Sequence, residues 1–137
     1  MREIKFRVWV PSEKKMYKCS GIEIYSDGSL YTVKVNDNGS LKTIFVEECP
    51  VVVMQYTGLK DRNGKEIYEG DIVKEYPFRN ELDIYEVDYN FFDAQFRLRN
   101  KRRGHSLSLL KAMAGGYEVI GNIFENPEIL KGQNQQN

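Results

Sequence analysis

Apolar and polar residues alternate from the start of the chain: in "EIKFRVWV" Ile4, Phe6, Val8 and Val10 fall on one face and Lys5, Arg7 and Trp9 on the other. That period of two belongs to a half-buried strand. Further on, Asp27-Gly28 and Asn38-Gly39 stand between β-rich runs. Both dipeptides suit two-residue hairpin turns in which each central residue takes positive φ. A turn at Asp27-Gly28 sets Ile24 opposite Tyr31 and Ile22 opposite Val33, and a turn at Asn38-Gly39 sets Val33 opposite Ile44 and Tyr31 opposite Val46. All six residues share one face, and a slip of one residue in either hairpin breaks the agreement. A three-stranded antiparallel meander is therefore expected.

The pattern then changes. "CPVVVMQYTG" is a continuous apolar run, the mark of a strand covered on both faces, and "GDIVKEY" starts another strand. In "IYEVDYNFFDAQFRLRN" a two-residue turn at Asp93-Ala94 predicts Phe91 opposite Phe96 and Tyr89 opposite Leu98 inside, with Asp88 opposite Arg99 and Glu86 opposite Lys101 outside. "SLSLLKAMA" carries Leu107, Leu110 and Met113 at helical spacing, a short helix capped by Ser106. "YEVIGNIF" reads as a last strand, Asn126-Pro127 opens a short helical turn over residues 128–131, and "GQNQQN" reads as a polar tail. The expected class is mainly β: an antiparallel meander over residues 1–50, an SH3-like small barrel over 51–131 that either stands alone or shares one core with the meander, a flexible tail over 132–137, and at most one or two short helices.

Composition narrows the partners only a little. Twenty Lys and Arg balance twenty Asp and Glu over 137 residues, so no global field draws the chain to nucleic acid or to an anionic membrane, and any such binding needs a local patch. Cys19 and Cys49 have neither CxxC spacing nor the density of a secreted disulfide scaffold, which implies a reducing, intracellular setting. The opening residues carry too many charges for a signal peptide, and no apolar run approaches the ~18 residues of a membrane helix. A soluble protein without membrane contact is expected.

Candidate chemistry concentrates in two stretches. "QYTGLKDRNGKEIYEGDIVKE" holds Asp61, Glu66, Glu69 and Asp71, but Lys60, Arg62 and Lys65 interleave and the spacing is not that of a calcium loop. Pairing across Asn63-Gly64 would put Arg62 against Lys65 and Asp61 against Glu66, like charges that a tight ladder disfavours. A wider, solvated loop is expected, turning at Gly70 into the next strand. "RLRNKRRGH" holds Arg97, Arg99, Lys101, Arg102 and Arg103 before His105. Lys101, Arg102, Arg103 and His105 form the nucleic-acid candidate, weighed against a cross-strand ladder in which Asp88 and Glu86 neutralise Arg99 and Lys101. His105 is the only histidine, and pairing it with Cys19, Cys49 or Ser106 would need a third orienting group. "AGGYEVIGN" lacks the Lys-Ser/Thr of a phosphate loop. No catalytic residue, metal site or cofactor is expected. Trp9, on the charged face of the first strand, either covers a second layer or anchors a protein partner.

Three segments together, "MREIKFRVWVPSEKKM", "MQYTGLKDRNGKEIYEGDIV" and "YEVIGNIFENPEIL", resemble the YopX-like proteins of bacteriophages and prophages. The resemblance spans most of the chain, with a variable stretch over residues 17–50. It implies a small, mostly β protein with an SH3-type later part, encoded by a phage or prophage of a Gram-positive host and acting in the host cytoplasm. It implies no activity and carries no site residue onto these positions, since fold does not fix function. Two function classes follow: a non-enzymatic module that self-associates or binds a phage or host protein, and a nucleic-acid-binding barrel using the basic loop.

Overall fold

The computed structural model describes residues 2–79, 83–109 and 114–134. Their chain order is β1 (Phe6–Val10), β2 (Lys15–Ile24), β3 (Leu30–Asp37), β4 (Ser40–Phe45), β5 (Val52–Lys60), β6 (Glu66–Tyr68), β7 (Asp71–Glu75), β8 (Ile84–Asn90), β9 (Gln95–Asn100), β10 (His105–Ser108), β11 (Tyr117–Asn122) and a helix α1 (Glu128–Asn134). The protein is mainly β, and among the described residues every strand pairing is antiparallel. Among the described residues no helix is long and apolar enough to cross a membrane. The chain divides into two compact units, Glu3–Gln55 and a second beginning at Tyr56.

In the first unit the strands lie in the order β4-β3-β2-β1-β5. The alternation of β1 works as its sequence requires: Val8 and Val10 are fully buried and join Tyr17, Val33, Val35 and Ile44 in one core. Cys19, Ile22, Cys49, Val51 and Val53 pack against its margin. Both cysteines are free thiols, and burial pushes the Cys19 thiol up.

The two hairpin turns differ from each other. Asn38 and Gly39 both have positive φ (52° and 91°), and Asp37 pairs with Ser40 across them, a two-residue turn of the expected kind. Val33 faces Ile44, and the Val46 N–H donates to the Tyr31 carbonyl at 3.1 Å. At the first turn only Gly28 has positive φ. The Asp27 carboxylate accepts the Ser29 N–H (2.9 Å) and hydroxyl (2.6 Å), which lets Asp27 keep ordinary backbone angles and widens the loop until Tyr25 donates to Ser29. Those Ser29 donors also hold the Asp27 carboxyl below the usual range. The wider loop moves the register by one, so Ile24 faces Leu30 rather than Tyr31, and an irregularity between Glu23 and Ile24 restores it at Ile22 opposite Val33. Ile24 and Tyr31, expected on the inner face, are consequently exposed (61% and 38%).

The second unit contains a sheet in the order β10-β9-β8-β7-β11, with β6 paired to the end of β5. Ile67, Val73, Tyr85, Val87, Leu98, Leu109, Ala114, Tyr117 and Val119 form its core, with Leu59, Phe96 and Leu107 against it. The helix expected from Ser106 does not begin there: Ser106 and Leu107 pair with Arg99 and Leu98 as part of β10. The Ser-Leu-Ser alternation is a strand period, and Leu107 reaches the core from a strand. Leu110 and Met113, the rest of that expected helix, lie outside the described residues. Beyond β11, the Asn122 amide oxygen accepts the N–H groups of Phe124 and Glu125, closing the turn before α1.

Gly121 sits where β11 meets that turn, and a Cβ added there would lie 2.6 Å from Asn126 Oδ1, the atom that accepts the Asn122 N–H. Gly121→Ala is therefore expected to displace Asn126 and cost about 1–3 kcal/mol of stability, read as a lower urea midpoint with an unchanged slope. Tyr117, 5% exposed, has its phenol pushed up to about 12 by burial. Because the unfolded phenol ionises near pH 10, the stability this neutral group confers is complete below that pH and is lost as pH rises toward about 12. Tyr117→Phe is expected to flatten the fall in stability between those limits in melting curves.

Candidate functional site

The acidic stretch after β5 is built around Asp61, which is 6% exposed. Its Oδ1 accepts the N–H groups of Asn63 (2.8 Å) and Lys65 (2.9 Å), and its Oδ2 accepts the N–H of Val119 in β11 at 2.9 Å. The backbone closes the same loop: Asp61 N–H donates to Lys65 O, Gly64 N–H donates to Asp61 O, and Arg62 N–H donates to Tyr117 O. The expected solvated loop is thus corrected at its centre. Asp61 turns inward because its carboxylate satisfies backbone donors that would otherwise be orphaned. The like-charge pairing is avoided as well, since Lys60 rather than Asp61 stands opposite Glu66.

Asp71 is 2% exposed, and its Oδ2 accepts the Tyr68 N–H at 2.8 Å across the turn at Gly70. Gly70 has φ of 85°, its N–H donates to Val87 O and its carbonyl accepts from Ile123. Both buried carboxylates thus serve the backbone instead of facing a shared substrate position. Among the described residues no three His, Cys, Asp or Glu side chains gather as metal ligands would.

The basic stretch runs from β9 through the turn at residues 101–104 into β10. Arg103 donates to Asp83 at 2.8 Å, and its N–H is held by the Asn100 side chain. Arg102 is half-buried, with its Nε out of solvent, whereas Lys101 and His105 are exposed. The His105 ring stands 6.3 Å from that of Tyr85. Arg99 lies between Asp88 (3.3 Å) and Glu86 (3.5 Å). Arg97 is held by Asp93 (3.0 Å), by the Ser106 hydroxyl and carbonyl (both 2.9 Å) and by Ser108 (3.4 Å).

These contacts follow from a hairpin register different from the expected one. Asn90 pairs with Gln95, Tyr89 with Phe96, Asp88 with Arg97, Val87 with Leu98 and Glu86 with Arg99. The turn is four residues long, 91–94. A two-residue turn at Asp93-Ala94 would demand positive φ at two residues with a Cβ, whereas the longer turn demands it only at Ala94 (52°). Asn90 assists by accepting the Phe92 N–H at 2.8 Å. Every pair has moved by two residues, which preserves the faces. Glu86 and Asp88 still meet a cation, but it is Arg99 that they share.

The slip has one large consequence. Phe91, expected opposite Phe96 in the core, sits in the turn and is 89% exposed, and its neighbour Phe92 is fully exposed. Tyr89 stacks edge-on against both Phe91 (5.7 Å) and Phe96 (5.4 Å). Tyr89, Phe91 and Phe92 line an open depression of about 210 Å³ together with Arg97, Arg99 and Ser106. Sequence reading missed this aromatic tip. The available signal was the absence of glycine from "NFFDAQ", which disfavours the tight turn that would have buried Phe91.

Trp9 is half-buried, standing opposite Met16 in β2 and Val52 in β5. On the same face Arg7 stands opposite Met54, which is 3% exposed.

With this geometry established, comparison with known proteins gives one family. The family model described as YopX protein matches residues 5–131. This chain belongs to the YopX family. Among solved structures, this YopX-family chain is similar to protein EF1440 from Enterococcus faecalis, at 30% identity and a TM-score of 0.70, over 96% of this chain and 100% of that one. It is also similar to protein yopX from Bacillus subtilis, at 22% identity and a TM-score of 0.59 with the same coverage, a likeness of fold. None of the curated proteins matches the chain.

The buried carboxylate explains much of the middle motif. Asp61→Ala leaves three backbone N–H groups without their acceptor, and a loss of about 3–5 kcal/mol is expected. Asp61→Asn, which keeps one oxygen, is expected to lose less, and Lys65→Ala at an exposed side chain to stay within about 0.5 kcal/mol. Denaturant titration of the three variants checks the order.

Proposed function

We propose that this YopX-family protein is a phage- or prophage-encoded accessory module of the host bacterial cytoplasm that works by binding a protein partner and not by catalysis. The observation that carries this reading is the β8–β9 tip, with Phe91 89% and Phe92 101% exposed beside Tyr89, Arg97 and Arg99. Burying such side chains is worth about 1.5–3 kcal/mol each. Aromatic residues and arginine are the types enriched where protein interfaces concentrate their energy.

Charge supports a protein partner over a polynucleotide. Arg97 and Arg99 are already matched by Asp93, Asp88 and Glu86, and Arg103 by Asp83, so phosphate would have to displace carboxylates before counterion release could favour it. The second reading, nucleic-acid binding through Lys101, Arg102, Arg103 and His105, draws on the exposure of Lys101 and His105. Placement works against it. The aromatic tip precedes β9 and the basic turn follows it, so the six residues of β9 hold the exposed rings of the tip and the cations of the basic turn about 17 Å apart or more.

The test is recovery of the tagged protein from infected host cells, wild type beside the Phe91→Ser/Phe92→Ser variant. The double variant is expected to retain its fold and lose the co-purifying protein by about 100-fold in affinity. Equal recovery of the same partner by both proteins would overturn the role of the tip. Salt-steep binding to single- or double-stranded probes, lost in Arg102→Ala/Arg103→Ala, would move the function to nucleic acid.

A further inference from the structure

β4 ends the strand order of its sheet, and among the described residues no strand pairs with its outer side. Six residues of open edge would ordinarily be blunted by charge, bulge or proline. The sequence of β4, Ser-Leu-Lys-Thr-Ile-Phe, contains one charge, and Lys42 is turned to Glu13 at 2.8 Å.

Hydrogen-bond parity fixes what this edge offers. The Val46 N–H donates to Tyr31 O, and Asp37 pairs with Ser40 across the two-residue turn. In an antiparallel ladder the bonded pairs alternate, so Ser40, Lys42, Ile44 and Val46 direct their backbone groups toward β3. Leu41, Thr43 and Phe45 direct theirs outward. One outward group is already used, since Phe45 O accepts from Glu48 and Cys49.

The same three residues share one face of the strand, where Leu41 is 68% and Phe45 42% exposed and Thr43 is exposed between them. The Phe45 ring is held edge-on by Tyr31 at 5.7 Å, and Tyr31 is held in turn by Tyr25 at 5.2 Å.

We propose that β4 pairs antiparallel with β4 of a second copy of this chain, about a two-fold axis at Thr43. This specifies one surface for the self-association that the protein-contact reading includes, and it is independent of the aromatic tip. The register follows from the parity. Outward residues must meet outward residues, so Thr43 lies opposite Thr43 of the second copy and Leu41 opposite Phe45. That arrangement makes four backbone bonds, two between the threonines and one from each Phe45 N–H to a Leu41 carbonyl. It also covers the exposed Leu41 and Phe45 with each other, as cross-strand apolar pairs require. A register two residues away in one direction sets Lys42 against Lys42, and in the other it forfeits Leu41. A second copy is the fitting occupant because the edge is self-complementary about its own midpoint, the condition for an isologous interface.

Light scattering and sedimentation over a concentration series test it. The wild type is expected to approach twice the chain mass. Thr43→Lys, which sets two ammonium groups across the axis, and Thr43→Pro, which removes an outward N–H that β3 does not use, are expected to remain monomeric with melting temperatures close to wild type. Thr43→Cys in a Cys19→Ser/Cys49→Ser background is expected to form a disulfide-linked dimer on oxidation, because a bonded antiparallel pair places its Cα atoms about 5.5 Å apart. A monomeric wild type at the highest concentration, unchanged assembly in Thr43→Lys, or no cross-link in Thr43→Cys would each overturn the proposal. Phe91→Ser/Phe92→Ser is expected to leave the dimer intact, so the two surfaces succeed or fail separately.

Discussion

A single buried carboxylate organises the second unit. Asp61 is one residue past the end of β5, yet its Oδ2 holds the N–H of Val119, 58 positions later in the chain. Its other oxygen holds the two N–H groups that shape its own loop. A neutral amide oxygen could accept two of these donors, as that of Asn122 does, but a carboxylate can accept all three at once, and bonds to a charged acceptor are the stronger kind. Asp71 does for the turn at Gly70 what Asp61 does for its loop. The acidic character of this stretch is therefore an answer to backbone donors, and the segment that most resembles a reactive site is a structural joint.

Much of the fold was legible because it rests on period-two alternation and on turns with residue-specific demands. Val8, Val10, Val33 and Ile44 are in the core as their spacing requires, and Asn38-Gly39 makes the turn that its two positive φ values allow. The two misread hairpin turns share one cause. At Asp27-Gly28 and at Asp93-Ala94 the first residue of the pair carries a Cβ and an alternative use for its side chain. Asp27 caps Ser29 and Asp93 pairs with Arg97, and a longer loop accommodates each. A dipeptide rule has no access to that competition. Likewise "SLSLLKAMA" holds both helical and strand spacings, and only the presence of β9 alongside decides that Ser106, Leu107 and Ser108 extend a sheet.

The candidate surfaces were less legible than the core, for a physical reason. Whether an aromatic residue is core or surface depends on loop length to the residue, and a shift of two in the β8–β9 register moved Phe91 from an expected interior position to the tip while leaving the charge ladder nearly intact. The basic stretch shows the converse. Its five cations are plain in the sequence, but the carboxylates that match Arg97, Arg99 and Arg103 come from Asp93, Asp88, Glu86 and Asp83, and which of them meets which cation depends on the same register. Trp9 was marked by its place on a charged face, and its half-buried state beside Met16 and Val52 belongs to a strand with neighbours on both sides.

The clamp on Arg97 bears on more than charge. Its guanidinium reaches Asp93 in the turn and Ser106 and Ser108 on the neighbouring β10, so the stem carrying Phe91 and Phe92 is braced from within the protein. An exposed aromatic on a loose loop loses conformational freedom when it docks, and that loss subtracts from affinity. For a partner docking there, as the proposed function has it, the contacts of Asp93 and Arg97 would already fix part of the backbone beneath the rings, and the rotation of the rings would remain to be arrested.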